Sequence, residues 1–334
     1  MSVIRRPLTF LAAAAAALAL AGCSTTVPDA GGTEPTGNAS SETRTVSTDL
    51  GEVTVPAEAE RIVVLNSNLA GYLFALDTPV HATIPEVPGP GGGEYPEIWA
   101  KDAKKDGTII LPWGEDGFDF EAILAEKPDL IIGGGQGFPA FQAAEAYDQL
   151  SEIAPTVIVS KELLTWQGQL DFIAEDVLDD AAGGKKLVDA YDARVAEVAD
   201  AITLPPLPVA YLVMTADGVP YSLPEDSALP QTLAELGFEP APVIADNPDF
   251  TAFGTGDSFE LSTEQVTEVF TAPSLFAFGF NNTPVSLAEL TKNPVYAALP
   301  AVTAGNAFDL PNSSYRADYL RTMELLDWVE ATFA

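Results

Sequence analysis

From Val46 onward, short and wholly apolar runs alternate with stretches in which apolar residues recur every three or four positions. A short apolar run suits a strand buried on both faces and the second spacing suits one face of a helix, so the alternation predicts an α/β fold. Arg61-Ile62-Val63-Val64-Leu65 reads as a buried parallel strand, and Asn66-Ser67-Asn68 brings capping chemistry to the helix that follows. Residues 120–126 predict a helix, Lys127-Pro128-Asp129 the break after it, and Leu130-Ile131-Ile132 the next strand. The second half echoes the first. Glu121 stands seven residues before Pro128 and Glu264 nine before Pro273, and each proline leads into an apolar run, the second being Ser274-Leu275-Phe276-Ala277-Phe278-Gly279. Each half also opens on a strand, residues 61–65 and 209–213.

Between the halves, Leu187, Tyr191, Val195, Val198 and Ile202 lie four, four, three and four residues apart. This spacing predicts one amphipathic helix of roughly 27 Å, bounded by Gly183-Gly184 before it and Pro205-Pro206 after it. The expected architecture is two Rossmann-like lobes joined by one long helix, with a ligand cleft between the lobes. The lobes are residues 46–182 and 204–334, and the joining helix is residues 183–203.

The N-terminal segment has a different pattern. Arg5 and Arg6 precede an apolar run from Leu8 to Ala21 that is too short to span a bilayer but suits a signal-peptide core. It ends in Leu20-Ala21-Gly22-Cys23, which resembles a bacterial lipobox. Residues 1–22 are read as a lipoprotein signal peptide and Cys23 as the lipidated residue. Residues 23–45, rich in Ser, Thr, Gly and Pro, are read as a flexible tether. The protein is therefore expected outside the cytoplasmic membrane, held to it by lipid.

Composition narrows the function. The 334 residues carry 15 Lys and Arg against 49 Asp and Glu, a net charge of -34. Loss of Arg5 and Arg6 with the signal peptide leaves 13 basic and 49 acidic groups, a net charge of -36. Such a surface has no basic stripe for nucleic acid and no polybasic membrane patch. One Cys rules out internal disulfides and thiolate clusters, and one His rules out a multi-histidine metal site. His81 itself is read as a structural residue. There is no Gly-x-Ser-x-Gly elbow, His-Glu-x-x-His or Walker pattern, so a secreted α/β enzyme is the weaker alternative. The acidic groups Glu115, Asp116 and Asp119, and Asp246 with Asp249, read as a solvated acidic face.

Several stretches together carry a family resemblance. They are Gly51-Glu52-Val53-Thr54-Val55-Pro56 leading into residues 61–65, Phe120-Glu121-Ala122-Ile123-Leu124 with Lys127-Pro128-Asp129-Leu130-Ile131-Ile132, and Asn293-Pro294-Val295-Tyr296 with Leu299-Pro300-Ala301-Val302 and Gly305-Asn306. In this order, and with the lipobox and joining helix, the chain resembles the extracytoplasmic binding proteins of ABC importers for iron-siderophores, haem and cobalamin. The resemblance implies a binding protein with no catalytic residues, a ferric siderophore as transported ligand, an ABC permease as partner, a monomer, and no cofactor. Haem or cobalamin is the alternative ligand. It also implies an acidic permease contact from each lobe, near Glu145 and Glu235.

In open α/β sheets ligands bind beyond the carboxyl ends of the strands. The candidates there are Asn66, then Gln136 and Phe138 in Gly133-Gly134-Gly135-Gln136-Gly137-Phe138, a run equally readable as a tight turn. Pro139 is expected to interrupt any phosphate-binding helix after it. Trp113 is a candidate in loop-like sequence, Trp99 a weaker one. The second lobe offers Tyr221, Phe253, Phe280, Asn281, Tyr315 and Arg316, with core packing the readier role for Tyr221, Phe253 and Phe280. Arg316 suits hydrogen bonding to the metal-bound oxygens of a chelate, and no side chain is assigned as a metal ligand. The overall negative charge favours a neutral or cationic chelate.

Cys23→Ala is expected to release the protein from membrane fractions or leave it as the unprocessed precursor, read by fractionation and by the mass of the chain. Normal processing with membrane retention would refute the assignment.

Overall fold

The computed structural model of the chain describes residues 42–89, 93–249, 258–280 and 285–334. Cys23, Phe253 and Asn281 lie outside the described residues. Strands β1 (Thr43–Thr48) and β2 (Gly51–Pro56) form an antiparallel hairpin that buries Val46, Val53 and Val55. The pairing of Thr43, Arg44 and Thr45 with Pro56, Val55 and Thr54 starts the fold inside the stretch whose composition suggests tether.

The first lobe contains β3 (Ile62–Val64), β4 (Ala82–Thr83) and β5 (Ile109–Ile110), then a small hairpin of β6 (Trp113–Gly114) and β7 (Gly117–Phe118), then β8 (Leu130–Gly134) and β9 (Thr156–Val159). Five of these form a parallel sheet in the order β5-β4-β3-β8-β9. Every residue of β3 and β8 is buried, as expected of central parallel strands. The Lys-Pro-Asp break has a structural role: the Asp129 carboxylate accepts hydrogen bonds from the backbone N–H groups of Glu60 and Arg61 at 2.8 and 2.9 Å, which fixes the start of β3. His81 Nε2 lies 2.8 Å from Glu126 Oε2, a structural contact away from the cleft.

The second lobe is built on β10 (Val209–Met214), β11 (Pro220–Ser222), β12 (Phe259–Glu260), β13 (Ser274–Gly279) and β14 (Ala307–Asp309), in the order β12-β11-β10-β13-β14. β10, β13 and β14 pair in parallel, and β11 and β12 are added at one edge by antiparallel pairing. Helices at 120–125 and 263–269 precede the equivalent central strands β8 and β13, which is the physical content of the sequence echo.

Four helices position the site: α1 (Ser67–Ala75), α2 (Phe138–Glu145), α3 (Ala181–Ala201) and α4 (Tyr319–Phe333). The joining helix is α3, and it begins two residues before the expected start at residue 183. Asp180 caps it by accepting from the Gly183 N–H at 2.9 Å, so the glycines sit in its first turn. Gly184 packs so closely on Ala174 that a methyl group there would stand 2.8 Å from the Ala174 Cβ. Tyr191 and Val198 are buried, with Leu187, Val195 and Ile202 packed beside them.

A second helix accompanies it. The N-terminus of α4 is pinned in the first lobe, where its capping residue Asp318 is fully buried against Gly71 of α1. Its far end carries Phe333 into the second lobe, with ring centroids 4.9 Å from Phe308 and 5.4 Å from Phe238. Along the way Arg194 of α3 bonds Asp327 at 2.7 Å and Glu330 at 2.6 Å.

A Cβ at position 71 would overlap the Asp318 carboxylate. Gly71→Ala is therefore expected to destabilise the fold by about 1–3 kcal/mol in urea denaturation, the usual cost of overpacking. Gly114→Ala has open space around it and should stay within about 0.5 kcal/mol of the parent. Equal midpoints for the two variants would remove the claim of close packing.

Candidate ligand-binding cleft

Strand β3 is the first of its sheet in the chain and lies beside β8, so the chain departs to opposite sides from these two neighbours. Such a switch point leaves a crevice beyond their carboxyl ends. Asn66 follows β3 there and is only 2% exposed. Its side-chain oxygen accepts from the Asn68 N–H at 3.1 Å, capping α1, while its amide donates to the carbonyls of Gly134 at 2.9 Å and Gln136 at 3.0 Å. One side chain thus ties the loop after β3 to the loop after β8, and it acts chiefly as a positioning residue.

The loop after β8 is both a turn and a wall of the cleft. Gly134, Gly135 and Gly137 have φ of 88°, 75° and 89°, and the last pairs with ψ of -172°, a region open essentially to glycine alone. Gln136 Nε2 donates to the Lys161 carbonyl at 2.8 Å. Pro139 does not interrupt the following helix. It occupies the first turn of α2, where the missing N–H is not needed.

The facing wall comes from the turn at Asn312–Arg316, between β14 and α4. Asn312 Oδ1 accepts from the Gly279 N–H at 2.6 Å and ties the turn to the end of β13. Tyr315 packs on Phe280 with centroids 4.6 Å apart, and Phe280 lies 6.0 Å from Tyr221. Tyr221 donates its hydroxyl proton to Glu260 at 3.0 Å; burial, reinforced by that bond, raises its pKa above the usual phenol range. Tyr315 lines the cleft cavity, whereas Tyr221 and Phe280 are not among its lining residues and pack in line behind Tyr315. The Arg316 guanidinium crosses to the first lobe and abuts the Cα of Gly137.

Of the sequence candidates, Asn66, Trp113, Gln136, Phe138, Tyr315 and Arg316 line one cavity of about 150 Å³. Beside it, sharing Pro88 and Trp113, a more open recess of about 590 Å³ extends over the β6–β7 hairpin. Trp113 is buried in β6 and donates its Nε1–H to Gln142 Oε1 at 2.6 Å, so its orientation is fixed. Phe138, 47% exposed, lies 6.4 Å from the Trp113 ring at the cavity edge. Trp99, the weaker candidate, is a core residue stacked on Phe74 at 5.0 Å.

Glu145 is exposed at the end of α2. Glu235 accepts a hydrogen bond from the Tyr191 hydroxyl of α3 at 3.0 Å; burial holds its carboxyl pKa above the ordinary range, only partly offset by the Tyr191 bond. Sequence reasoning missed Glu86 and the turn residues Asn312 and Ser313 among the lining groups. Glu86 follows β4, a strand of two residues that leaves almost no apolar run to read. Among the described residues the cavity offers aromatic faces, side-chain amides, the Arg316 guanidinium and the Glu86 carboxylate, and the recess adds Glu115, Asp116 and Asp119, chemistry suited to stacking and hydrogen bonding around a polar ligand.

Comparison with known proteins bears on the family and the fold. The family pattern described as periplasmic binding protein matches residues 62–314. The ferric enterobactin-binding periplasmic protein FepB of Escherichia coli is 30% identical over 295 residues, covering 87% of this chain and 91% of that one. The probable siderophore-binding lipoprotein YfiY of Bacillus subtilis is 32% identical over 160 residues, 48% of this chain and 46% of its own length. Among solved structures, holo-ViuP superposes with a TM-score of 0.74 at 22% identity, covering 87% of this chain and 95% of that one. That structural likeness concerns the fold.

Gly137→Ala meets two obstacles, a backbone conformation unfavourable to a side chain and the guanidinium of Arg316. It is expected to cost about 1–3 kcal/mol from backbone strain alone. Adding Arg316→Ala should restore only the part due to overlap, so the double variant remains less stable than Arg316→Ala in chemical denaturation. Full recovery would show that strain at residue 137 is negligible.

Proposed function

The chain belongs to the periplasmic binding protein family, and we propose that it is a lipid-anchored extracytoplasmic carrier that captures a ferric siderophore and delivers it to an ABC permease. The family is one of binding proteins and not of enzymes. The observation that carries the ligand assignment is the juxtaposition of Trp113, Phe138 and Tyr315 with the guanidinium of Arg316 around one cleft. In a ferric siderophore the organic ligand fills the iron coordination sphere, so its carrier supplies stacking surfaces and hydrogen bonds instead of metal ligands. A planar guanidinium is suited to the metal-bound oxygens, which bear partial negative charge even when the chelate is neutral. The named ligand of the E. coli relative supports the same reading.

The anchor is assigned to Cys23, and the word lipoprotein in the name of the B. subtilis relative supports it. For delivery, we assign the permease contacts to Glu145 and Glu235, one from each lobe. The bond from Tyr191 places Glu235 beside α3, so a permease arginine engaging it would compete for a carboxylate already held by the helix that joins the lobes. The carrier is proposed to act as a monomer.

Titration of the purified mature protein with ferric chelates, haem and cobalamin, followed by quenching of tryptophan fluorescence, tests the ligand class. Stoichiometric binding of a ferric chelate is expected, weakened by about tenfold or more in Arg316→Ala, in keeping with loss of a hydrogen bond to a charged group. Tighter binding of haem or cobalamin than of every ferric chelate would overturn the siderophore assignment.

A further inference from the structure

The second charged group of the cleft wall belongs to a buried cluster that no sequence motif marks. Glu86 lines the cleft after β4, and its Oε1 accepts a hydrogen bond from Arg321 Nη2 at 2.9 Å. Arg321 is only 1% exposed, and its other terminal nitrogen bonds the carboxylate of Asp318, which is fully buried. Asp318 also accepts from the Arg321 backbone N–H at 2.9 Å. Burial opposes the charge on Arg321, but Asp318 and Glu86 outweigh it and hold its pKa above the ordinary guanidinium value. The cluster therefore contains two carboxylates and one guanidinium that stays charged.

The location of the uncompensated charge follows from the contacts. Asp318 and Arg321 are mutually paired out of solvent, and Asp318 has no access to the cleft. Glu86 is the partly exposed member, with 21% of its side chain open. Among the described residues its second carboxylate oxygen accepts no hydrogen bond. The excess negative charge thus lies at Glu86, on an oxygen carried by a residue of the cleft wall. Because Oε1 is held by a buried guanidinium, the carboxylate is fixed in place before a ligand arrives. Arg316 is the other charged residue of this lining.

We infer that Glu86 is a specificity-determining residue that selects, among ferric siderophores, those bearing a positively charged ammonium arm. This inference rests on the carrier function proposed above. Arg316 serves the oxygens around the metal and Glu86 the arm, so the two walls read different parts of one ligand. The preference differs in kind from the repulsion of anions by the whole surface, because it acts at contact distance and depends on one removable charge.

A pair of ligands isolates that charge: a ferric trihydroxamate with a pendant primary ammonium group, and the same chelate acetylated on that nitrogen. Dissociation constants for both are measured by fluorescence titration with the unmodified protein, Glu86→Gln and Glu86→Asp. Glu86→Gln keeps an acceptor for Arg321 while removing the charge, and a thermal melt reports whether it folds. The unmodified protein is expected to prefer the ammonium chelate roughly tenfold, about the worth of one hydrogen bond between charged groups. Glu86→Gln should bring the ratio near one, and Glu86→Asp should retain part of the preference. The same ratio in the unmodified protein and Glu86→Gln would overturn the role of Glu86 and leave the carrier function standing. Binding of neither chelate, with haem or cobalamin bound instead, would overturn both.

Discussion

The seating of Asp318 against Gly71 is the constraint on which the cleft depends. It fixes the first turn of α4 in the lobe opposite the one that receives Phe333 at the other end. The turn that bears Tyr315 and Arg316 ends two residues before Asp318, so pinning the cap also delivers the guanidinium to the crevice. Arg321 makes the seat tolerable by pairing with a carboxylate that would otherwise be buried alone, and removing one member of such a pair typically costs about 3–5 kcal/mol. With α3 and α4 both running between the lobes and bonded to each other through Arg194, and with Tyr191 and Phe333 buried along them, a wide hinge opening would have to disturb both helices at once. Small rocking of one lobe on the other is the motion this architecture permits most readily.

Two electrostatic scales coexist in the molecule. The chain as a whole is strongly acidic, but exposed charges farther apart than about 8 Å are largely screened at physiological salt. At the cleft the relevant groups are Arg316 and Glu86, one of each sign. Among the described residues the cavity lining thus holds one charge of each sign, while the adjoining recess carries Glu115, Asp116 and Asp119, and the acidic surface as a whole bears on approach and solubility.

The parallel strands were legible because burial on both faces leaves an uninterrupted apolar run, as at Ile62-Val63-Val64 and Leu130-Ile131-Ile132. The loops that follow them were legible for the same reason, which is how Asn66, Gln136 and Phe138 came to notice. Errors arose where a local signal had two meanings. The Gly183-Gly184 pair suggested a boundary, but the Asp180 cap and the close approach to Ala174 put both glycines inside α3. Pro139 suggested an interruption but occupies a first turn. Trp99 looked out of place in a loop until Phe74 supplied its partner. The Glu86–Arg321 contact joins residues 235 positions apart, and no periodicity or motif in a single chain encodes such a meeting.

The two walls of the cleft are built to different degrees of rigidity, and this determines how a ligand can be gripped. On the first lobe, Asn66 bonds both switch-point loops and Gln142 holds Trp113, so stacking and amide groups are set before binding. On the second, the Arg316 side chain reaches across to Gly137 in the space a ligand would share. A molecule that fills this space displaces the guanidinium, and Arg316 then contributes only the difference between its contacts with that molecule and those it gives up. Selectivity follows from that difference. Ligands presenting oxygen atoms where the guanidinium can move to meet them retain the interaction, whereas apolar ligands of the same size lose it and leave a charge in a narrowing cleft. Glycine at 137 completes the arrangement because it alone combines the required backbone conformation with space for the guanidinium to rest.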